Sequence, residues 1–443
     1  MKMPMIRAMS GRGVRHLAHL TSAVALAVMF VPASASAASE DVDQTGEIKQ
    51  KLAEAGCVSQ TGADGDLGMT CADERALRSS VDIALSLDGK SLYVASFLGS
   101  AVAVFDRGPD GTLTQKAGQA GCISQTGADG DLGNTCADGR GLQEAHGVVV
   151  SPDGKSVYVT SLLGSAVAVF DRGPDGTLTQ KAGQAGCISQ TGADGDLGNT
   201  CADGRGLQQA VDLVVSPDGK SVYVTSVLGD AVAVFDRAAD GTLTQKPGQA
   251  GCISQTGADG DLGNTCADGR GLDGAHAVTI SPDGKSLYAA SPLVGNAVAV
   301  FDRAADGTLT QKPGQAGCIS QTGADGDLGN TCADGRGLDG AHGVAVSPDG
   351  KSLYVPSLLG DAVAVFDRAA DGTLTQKPGQ PGCISQTGAD GDLGNTCADG
   401  RGIDGGVPVV VSPDGKSLYV GGLFFGDSVA VFDRTPAPTG DGA

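Results

Sequence analysis

Short apolar runs alternate with turn residues along the chain, and the unit from 146 to 181 shows the pattern most clearly. His146–Ser151 is a β-branched run that ends in an Asp-Gly turn, and Ser156–Ser161 alternates apolar and polar positions. Ala166–Arg172 forms a third run, and Thr177–Lys181 is shorter and more polar. Period-2 runs separated by tight turns predict four antiparallel strands.

This series recurs six times, and the recurrence sets the architecture. The equivalent first cysteines stand 65 residues apart, with one step of 66, at Cys57, Cys122, Cys187, Cys252, Cys318 and Cys383. Each unit is too small to bury a core alone, so neighbouring units must share one. Four-stranded units predict an all-β, six-bladed β-propeller; an open solenoid is disfavoured because it leaves strand edges unpaired.

The two ends of the series are complementary. Gly46–Lys51 has the sequence of a fourth strand, whereas the last unit stops after its third strand at Val429–Arg434. We therefore predict that the ring is closed by an N-terminal strand that completes the last blade, which places the propeller domain at residues 46–434.

The flanking segments predict export. Residues 1–37 combine a basic start, a short apolar stretch and small residues, as in a signal peptide. Residues 38–45 are expected to be a flexible segment, and residues 435–443 a disordered tail without a membrane anchor. Removing the signal removes four basic residues and no acidic ones, so the net charge goes from −21 to −25. This charge opposes nucleic-acid binding.

Twelve cysteines in a secreted chain predict disulfides within each unit. Zinc is disfavoured because structural zinc sites use closely spaced cysteines. The predicted pairs are Cys57–Cys71, Cys122–Cys136, Cys187–Cys201, Cys252–Cys266, Cys318–Cys332 and Cys383–Cys397.

The repeated VSPDGKSVYVTS…AVAVFDR resembles the secreted YVTN/lactonase-like β-propeller repeat family, from Val81 to Arg434. The resemblance implies a propeller fold and a lactone hydrolase or cyclase activity. The chain departs from the family in having six blades where seven are usual, and in its long cysteine-containing loops. No catalytic residue of the family maps onto a matching position.

Two sets of polar residues are candidate sites. Within the loop GADGDLGNTCADG, oxygen-bearing side chains suit Ca²⁺, although their spacing fits neither the EF-hand loop nor the nonapeptide calcium repeat. The same side chains also suit turn capping. In the second unit these candidates are Asp129, Asp131, Asn134 and Asp138. Apart from calcium in these loops, no cofactor is predicted.

The second set lies where the units differ, at the entry to the first strand. Three units carry a histidine there and two carry an aspartate at the next position; these are His146, His276, His342, Asp82 and Asp212. Such residues could ring the mouth of the channel and serve acid–base chemistry, or simply pack there.

Two functions remain open at this point. Six alike loops on one face favour a monomeric binding or structural scaffold without catalysis, whose ligand is an unknown protein, glycan or small molecule. The alternative is a lactonase-like enzyme with its site at the channel mouth, which requires the unequal environments that only the histidine and aspartate positions provide.

Overall fold

The computed structural model describes residues 50–63, 70–129, 133, 135–194, 198, 200–259, 263, 265–325, 329, 331–390, 394, 396–422 and 428–435. Within these ranges the chain is all-β, with short 3-10 turns and no α-helix. None of the helices described there is long and apolar enough to span a membrane. The predicted signal peptide, the segment 38–45 and all of the predicted tail except Thr435 lie outside these residues.

The strands follow the six repeats, after a first loop pair formed by β1 (Val58–Ser59) and β2 (Ala72–Asp73). Blade one contains β3 (Ser80–Leu85), β4 (Ser91–Ser96), β5 (Ala101–Arg107), β6 (Leu113–Gln115), β7 (Cys122–Ser124) and β8 (Ala137–Asp138). Blade two contains β9 (Ala145–Val150), β10 (Ser156–Ser161), β11 (Ala166–Arg172), β12 (Leu178–Gln180), β13 (Cys187–Ser189) and β14 (Ala202–Asp203). Blade three contains β15 (Ala210–Val215), β16 (Ser221–Ser226), β17 (Ala231–Arg237), β18 (Leu243–Gln245), β19 (Cys252–Ser254) and β20 (Ala267–Asp268).

Blades four to six continue the same order. Blade four contains β21 (Ala277–Ile280), β22 (Ser286–Ser291), β23 (Ala297–Arg303), β24 (Leu309–Gln311), β25 (Cys318–Ser320) and β26 (Ala333–Asp334). Blade five contains β27 (Ala345–Val346), β28 (Ser352–Ser357), β29 (Ala362–Arg368), β30 (Leu374–Gln376), β31 (Cys383–Ser385) and β32 (Ala398–Asp399). Blade six contains β33 (Gly406–Val411), β34 (Ser417–Gly422) and β35 (Val429–Asp433). The 3-10 turns are Ala53–Gly56, Gly118–Gly121, Gly183–Gly186, Gly248–Gly251, Gly314–Gly317 and Gln380–Gly382.

The predicted antiparallel strands are present, but the fourth position of the blade is divided between two of them. In blade two, β12 pairs with the end of β11 at Phe170–Arg172, and β13 pairs with its beginning at Ala166–Ala168. β14 then pairs in parallel with β13. The cysteine-containing loop therefore returns to the sheet and extends it, where the sequence suggested only an added loop.

The cores lie between blades rather than within them. Val157 and Val159 of β10 pack toward blade one, whereas Tyr158 between them packs toward blade three. This division follows from the alternation of side chains across a strand. Each blade thus supplies one apolar face to each neighbour, as the small size of the unit requires.

In blades two to six an arginine at the end of the third strand ties the blade to the one before it. Arg237 donates from Nε to Tyr158 Oη (2.7 Å) and from Nη2 to both carboxylate oxygens of Asp153 (2.9 Å each). The guanidinium also bonds the Gly219 carbonyl oxygen of its own blade. The same arrangement recurs at Arg172, Arg303, Arg368 and Arg434. A planar fork of donors suits this combination of phenol, carboxylate and carbonyl acceptors.

The structure forms all six predicted disulfides, each between cysteines 14 positions apart in the sequence. The first aspartate of each described loop from the second onward joins neighbouring loops. Asp259 Oδ1 accepts from the Gly206 amide (2.6 Å) and from Gln190 Nε2 (2.7 Å) of the preceding loop. The loops therefore form a continuous hydrogen-bonded series over the blades.

The described blades form a six-bladed propeller arrangement with five packed junctions, and the junction between blades six and one differs. Ile83 and Leu85 of blade one are 63% and 51% exposed, and Val429 and Val431 of blade six are 61% and 58% exposed. Among the described strands, only β34 pairs with β35. The predicted pairing of Gly46–Lys51 with the last strand involves residues 46–49, which lie outside the described part, so it stays a prediction.

Candidate functional site

The histidine positions stand at the start of the innermost strands of blades two, four and five. His146 lies in β9. His276 directly precedes β21, and His342 lies shortly before β27. The ring centroids of His146 and His276 are 5.7 Å apart, and those of His276 and His342 are 3.8 Å apart. The three imidazoles therefore converge, although their blades are not evenly spaced around the ring. Phe97 of blade one packs edge-on against His146 at 6.3 Å.

Backbone contacts set the orientation of His146. Its Nδ1 lies 3.0 Å from the carbonyl oxygen of Val211 in blade three. A carbonyl oxygen can only accept, so Nδ1 carries the proton in the neutral ring and Nε2 is left with a free lone pair. Gly147, the next residue, has no room for a side chain, because a Cβ there would lie 2.7 Å from the same Val211 oxygen.

The two aspartates bridge neighbouring inner strands. Asp82 Oδ2 accepts from the Val148 amide of blade two at 2.7 Å. Asp212 Oδ2 accepts from the Val278 amide of blade four at 2.8 Å, and its Oδ1 accepts from the Leu213 amide at 2.8 Å. Each carboxyl group therefore fixes the entry of the following blade.

Burial gives these groups unusual proton affinities. It raises the pKa of Asp82 to about 6, and it raises the pKa of Asp212 to about 7, with a further contribution from the charge of Asp82. Burial lowers the pKa of His146, and burial together with the other histidines lowers that of His276 well below its usual value and that of His342 to about 4. At neutral pH the site thus combines neutral imidazoles with carboxyl groups close to their titration points.

A second set of unequal residues lies three positions before the histidine position in the sequence, and the sequence reasoning did not identify it. Its members are Arg78, Gln143, Gln208, Asp273, Asp339 and Asp404. The signal was available, because the six copies differ here as well as at the histidine position. One of these side chains, Arg78, is basic and three are acidic.

The position directly after this set adopts the left-handed backbone conformation in every blade. Glu144 and Gln209 have φ of 56° and 57°, while the equivalent positions in blades four to six are glycines. Residues other than glycine are uncommon at such φ values. Holding Glu144 and Gln209 in this conformation costs conformational free energy. Such backbone strain is found most often at functional sites.

Two of the four calcium candidates, Asp129 and Asp138, belong to the part of the chain that the structure describes. Asp131 and Asn134 lie outside the described residues. Asp129 is buried, and its Oδ1 accepts from the Ala76 amide and from Gln60 Nε2, both at 2.9 Å. Asp138 is exposed in β8. Among the described residues no group of three acidic, histidine or cysteine side chains is arranged to hold a metal ion, and the calcium site stays a prediction that a chelator titration of thermal stability would test.

Comparison with known proteins locates the likeness in the middle of the chain. The family model described as "Lactonase, 7-bladed beta-propeller" matches residues 146–250, from His146 in blade two to just beyond β18 in blade three. A 6-phosphogluconolactonase from Klebsiella pneumoniae (strain 342) is 36% identical over 74 residues. That match covers 16% of this chain and 22% of the relative, so the chain spans about a fifth of the length of the curated relatives it matches.

Solved structures are similar at low identity. The periplasmic gluconolactonase of Pseudomonas aeruginosa is 22% identical, with a TM-score of 0.42 over 67% of this chain and 68% of that one. A functionally unknown protein from Desulfotomaculum acetoxidans DSM 771 is 14% identical, with a TM-score of 0.49 over 80% and 83% of the two chains. The described blades form a β-propeller arrangement, and residues 146–250 of it are similar to the lactonase propellers.

Proposed function

We propose that the chain is a lactone hydrolase whose site is the cluster of His146, His276, His342, Asp82 and Asp212 at the channel mouth. The observation that carries this proposal is the convergence of three imidazoles, with ring centroids 5.7 Å and 3.8 Å apart, at a position where the repeats are unequal. The family match supports it, because the matched residues include His146 and Asp212. The comparisons thus favour the enzyme over the scaffold that sequence symmetry alone suggested.

His146 has the properties of a general base. Its lowered pKa keeps the ring neutral at pH 7, and its Nδ1–H bond to the Val211 oxygen leaves Nε2 as the basic nitrogen. In the proposed reaction Nε2 takes a proton from a water molecule, whose oxygen attacks the lactone carbonyl carbon. The ring C–O bond then breaks, and the cyclic ester becomes a hydroxy acid.

Asp212 supplies the complementary acid. Since its pKa is raised to about 7, a large fraction of the carboxyl group is protonated near neutral pH. It gives a proton to the departing alkoxide oxygen, and the imidazolium of His146 returns one to the carboxyl group. A base and an acid in unequal environments are what two-proton chemistry requires.

The substrate class follows from the charges around the site. The positions three residues before the histidine position carry three aspartates and one arginine, and burial lowers the pKa of the three imidazoles, which keeps them neutral. A phosphate group would find little to neutralise it here. We therefore propose an uncharged sugar-acid lactone as substrate. Export by the predicted signal peptide belongs to the same proposal, and the six disulfides are consistent with an oxidising compartment outside the cytosol.

The experiment measures the hydrolysis of glucono-1,5-lactone through the protons that the reaction releases. We expect His146→Gln to lower kcat/KM by about 100-fold or more, the usual contribution of a general base. Asp171→Asn, at an exposed strand end on the opposite side of the blade, is the matched control and should retain activity. Activity in the parent that survives in a folded triple variant, His146→Ala with His276→Ala and His342→Ala, would refute the assignment.

A second candidate function rests on a different observation. The turns that join the second and third strands expose one leucine each on the loop-bearing face: Leu98, Leu163, Leu228, Leu293 and Leu359. A ring of exposed apolar side chains supports binding of a partner by repeated weak contacts. If no lactone is hydrolysed, this scaffold role becomes the better proposal.

A further inference from the structure

A position near the end of the second strand of each blade also differs between the repeats. Its six copies are Ala95, Thr160, Thr225, Ala290, Pro356 and Gly421. The tyrosine two residues earlier is the same in every repeat. A hydroxyl therefore stands at this position in blades two and three alone, and both threonines lie within residues 146–250, which match the lactonase family model.

A β-bulge explains why blade two uses a hydroxyl at this position. His146 and Gly147 of β9 both stand opposite Thr160 of β10, because the register shifts between Val159 and Ser161. The extra residue of a bulge is left without its normal partner in the ladder. Thr160 Oγ1 accepts from the Gly147 amide at 2.7 Å, so the side chain replaces the backbone acceptor that the bulge removes.

The same hydroxyl donates to the acceptor of the proposed base. Thr160 Oγ1 lies 2.7 Å from the Val211 oxygen of blade three and 3.5 Å from the Gly147 oxygen. A hydroxyl has one proton to donate, and the shorter contact takes it. The Val211 oxygen also accepts from His146 Nδ1 at 3.0 Å, so both of its lone pairs are used. The oxygen that orients His146 is thus itself held by Thr160.

Val211 is itself the extra residue of a bulge. Its neighbours Ala210 and Asp212 both pair with β16, and the register shifts between them. The peptide plane that carries the Val211 oxygen ends at the Cα of Asp212, because a peptide group is planar from one Cα to the next. Rotation of this plane would therefore move the acceptor of His146 and the backbone of the proposed acid, Asp212, together.

The other two histidines are held differently. His276 is hydrogen-bonded to the backbone of His342, and blade four carries Ala290 at the threonine position. Thr225 of blade three donates to the His276 carbonyl oxygen at 2.8 Å, which holds the backbone of that histidine and not its ring. Of the three histidines in the described cluster, His146 is therefore the one whose ring acceptor is shared with a threonine.

We infer that Thr160 is a positioning residue of the proposed hydrolase: its hydroxyl fixes the Val211 carbonyl group, which sets the tautomer of His146 and the place of that ring relative to Asp212. Thr160 is fully buried and its hydroxyl is paired both as acceptor and as donor, so it acts through these neighbours and not on the lactone. The catalytic part of this inference rests on the proposed function, whereas the effect on the tautomer requires no substrate.

Exchange of the hydroxyl for a methyl group tests the effect on the tautomer. Thr160→Val keeps the shape of the side chain and removes both hydrogen bonds, and Thr160→Ser keeps the hydroxyl. Nitrogen NMR of the histidine rings near pH 8, where imidazoles are neutral, shows which ring nitrogen carries the proton. His146→Gln identifies the His146 signals by their loss. We expect the Nδ1–H form alone in the parent and in Thr160→Ser, and a mixture of both tautomers in Thr160→Val.

Thr225→Val is the matched control, since it makes the same exchange at the equivalent position of blade three. It should leave the His146 signals as they are in the parent, because the Thr225 hydroxyl bonds His276 and not Val211. An equal change of the His146 tautomer in this variant would mean that the signals report altered packing, and the inference would be wrong.

Hydrolysis of glucono-1,5-lactone supplies the second readout. We expect Thr160→Val to lower kcat by about 10- to 100-fold, the cost of removing a group that orients a functional histidine. KM should change little, because the residue acts on the base and not on the bound lactone. Thr160→Ser should restore most of the parent's kcat.

Three further results would overturn the inference: Thr160→Val that keeps the Nδ1–H form, Thr160→Ser that behaves like Thr160→Val, or a changed tautomer with unchanged kcat. A parent protein whose His146 carries its proton on Nε2 would do so as well, and this measurement needs no variant to fold. If the tautomer changes as expected but the parent hydrolyses no lactone, the proposed function fails while the control of His146 by Thr160 stands.

Discussion

The arginine that ends each third strand illustrates how one side chain determines a junction. Asp171 and Arg172 cannot pair with each other, because consecutive strand residues point to opposite faces. In the structure Asp171 pairs with Lys181 of its own blade at 2.7 Å, and Arg172 reaches Asp88 of the preceding blade at 3.2 Å. Whether this arginine bonds the preceding blade or the following one depends on how the blades pack against each other.

At the same scale, His342 gives a prediction on pH. Its folded-state pKa is lowered to about 4, so the unfolded chain binds more protons than the folded chain between about pH 6.5 and pH 4. The histidine therefore subtracts stability as the pH falls through that window. We expect His342→Gln to reduce the loss of unfolding free energy between pH 6.5 and pH 4, measured by urea unfolding at each pH.

The comparison needs a reference above the window. Near pH 8 the ring is neutral in both states, so the difference between the parent and His342→Gln measured there reports packing alone. If the two pH profiles ran parallel down to pH 4, the histidine would not be a source of acid sensitivity.

At the scale of elements, the cysteine-containing loop is part of the blade. β19 pairs with the beginning of β17 at Ala231–Ala233, and β20 pairs in parallel with β19. Gly206 lies against this loop with φ of 65°, and a Cβ there would stand 3.0 Å from Cys252 Cβ. The glycine thus allows the backbone of one loop to approach the disulfide of the next.

Removing one disulfide should therefore affect the sheet as well as the loop. The chain-entropy model gives about 3 kcal/mol for closing a loop of about 15 residues. We expect Cys252→Ala with Cys266→Ala to lower the free energy of unfolding by about that amount, measured by urea unfolding. Hydrogen exchange should also accelerate at Cys252–Ser254 and in the adjoining half of β17.

The equivalent change in the first loop is the matched comparison. Cys57→Ala with Cys71→Ala removes a disulfide whose loop pair, β1 with β2, joins no blade sheet in the described part of the chain. Its effect on exchange should stay within the loop. The same exchange pattern for both variants would argue against the loop as a structural part of the blade.

At the scale of the whole molecule, the net charge of the chain determines how charged substrates are attracted or repelled. The chain carries a formal net charge of −21 at pH 7. An anionic substrate is repelled by this field, and salt screens the repulsion. We expect kcat/KM for a phosphorylated lactone to be lower than for glucono-1,5-lactone and to rise as ionic strength goes from low to about 0.5 M.

The uncharged lactone serves as the internal control, since its kcat/KM should vary little over the same range. A phosphorylated lactone that is preferred, or whose kcat/KM falls with added salt, would indicate a cationic site and contradict the proposed substrate class.

The sequence by itself determined the propeller, the number of blades and the pairing of the cysteines. These depend on local patterns, namely period-2 alternation, Asp-Gly turns and a fixed repeat, and a local pattern can be read wherever it occurs. The unequal positions at His146, His276 and His342 could also be identified, because departures from a repeat are visible without coordinates.

Only the tertiary structure decided how distant residues meet. The approach of His276 to His342, the reach of Arg237 to the preceding blade and the division of the fourth strand position depend on the angle and register between blades. The raised pKa of Asp212 depends on burial by residues far away in the chain. These quantities arise from packing between units, and a near-identical repeat carries little information about which of its copies will face each other.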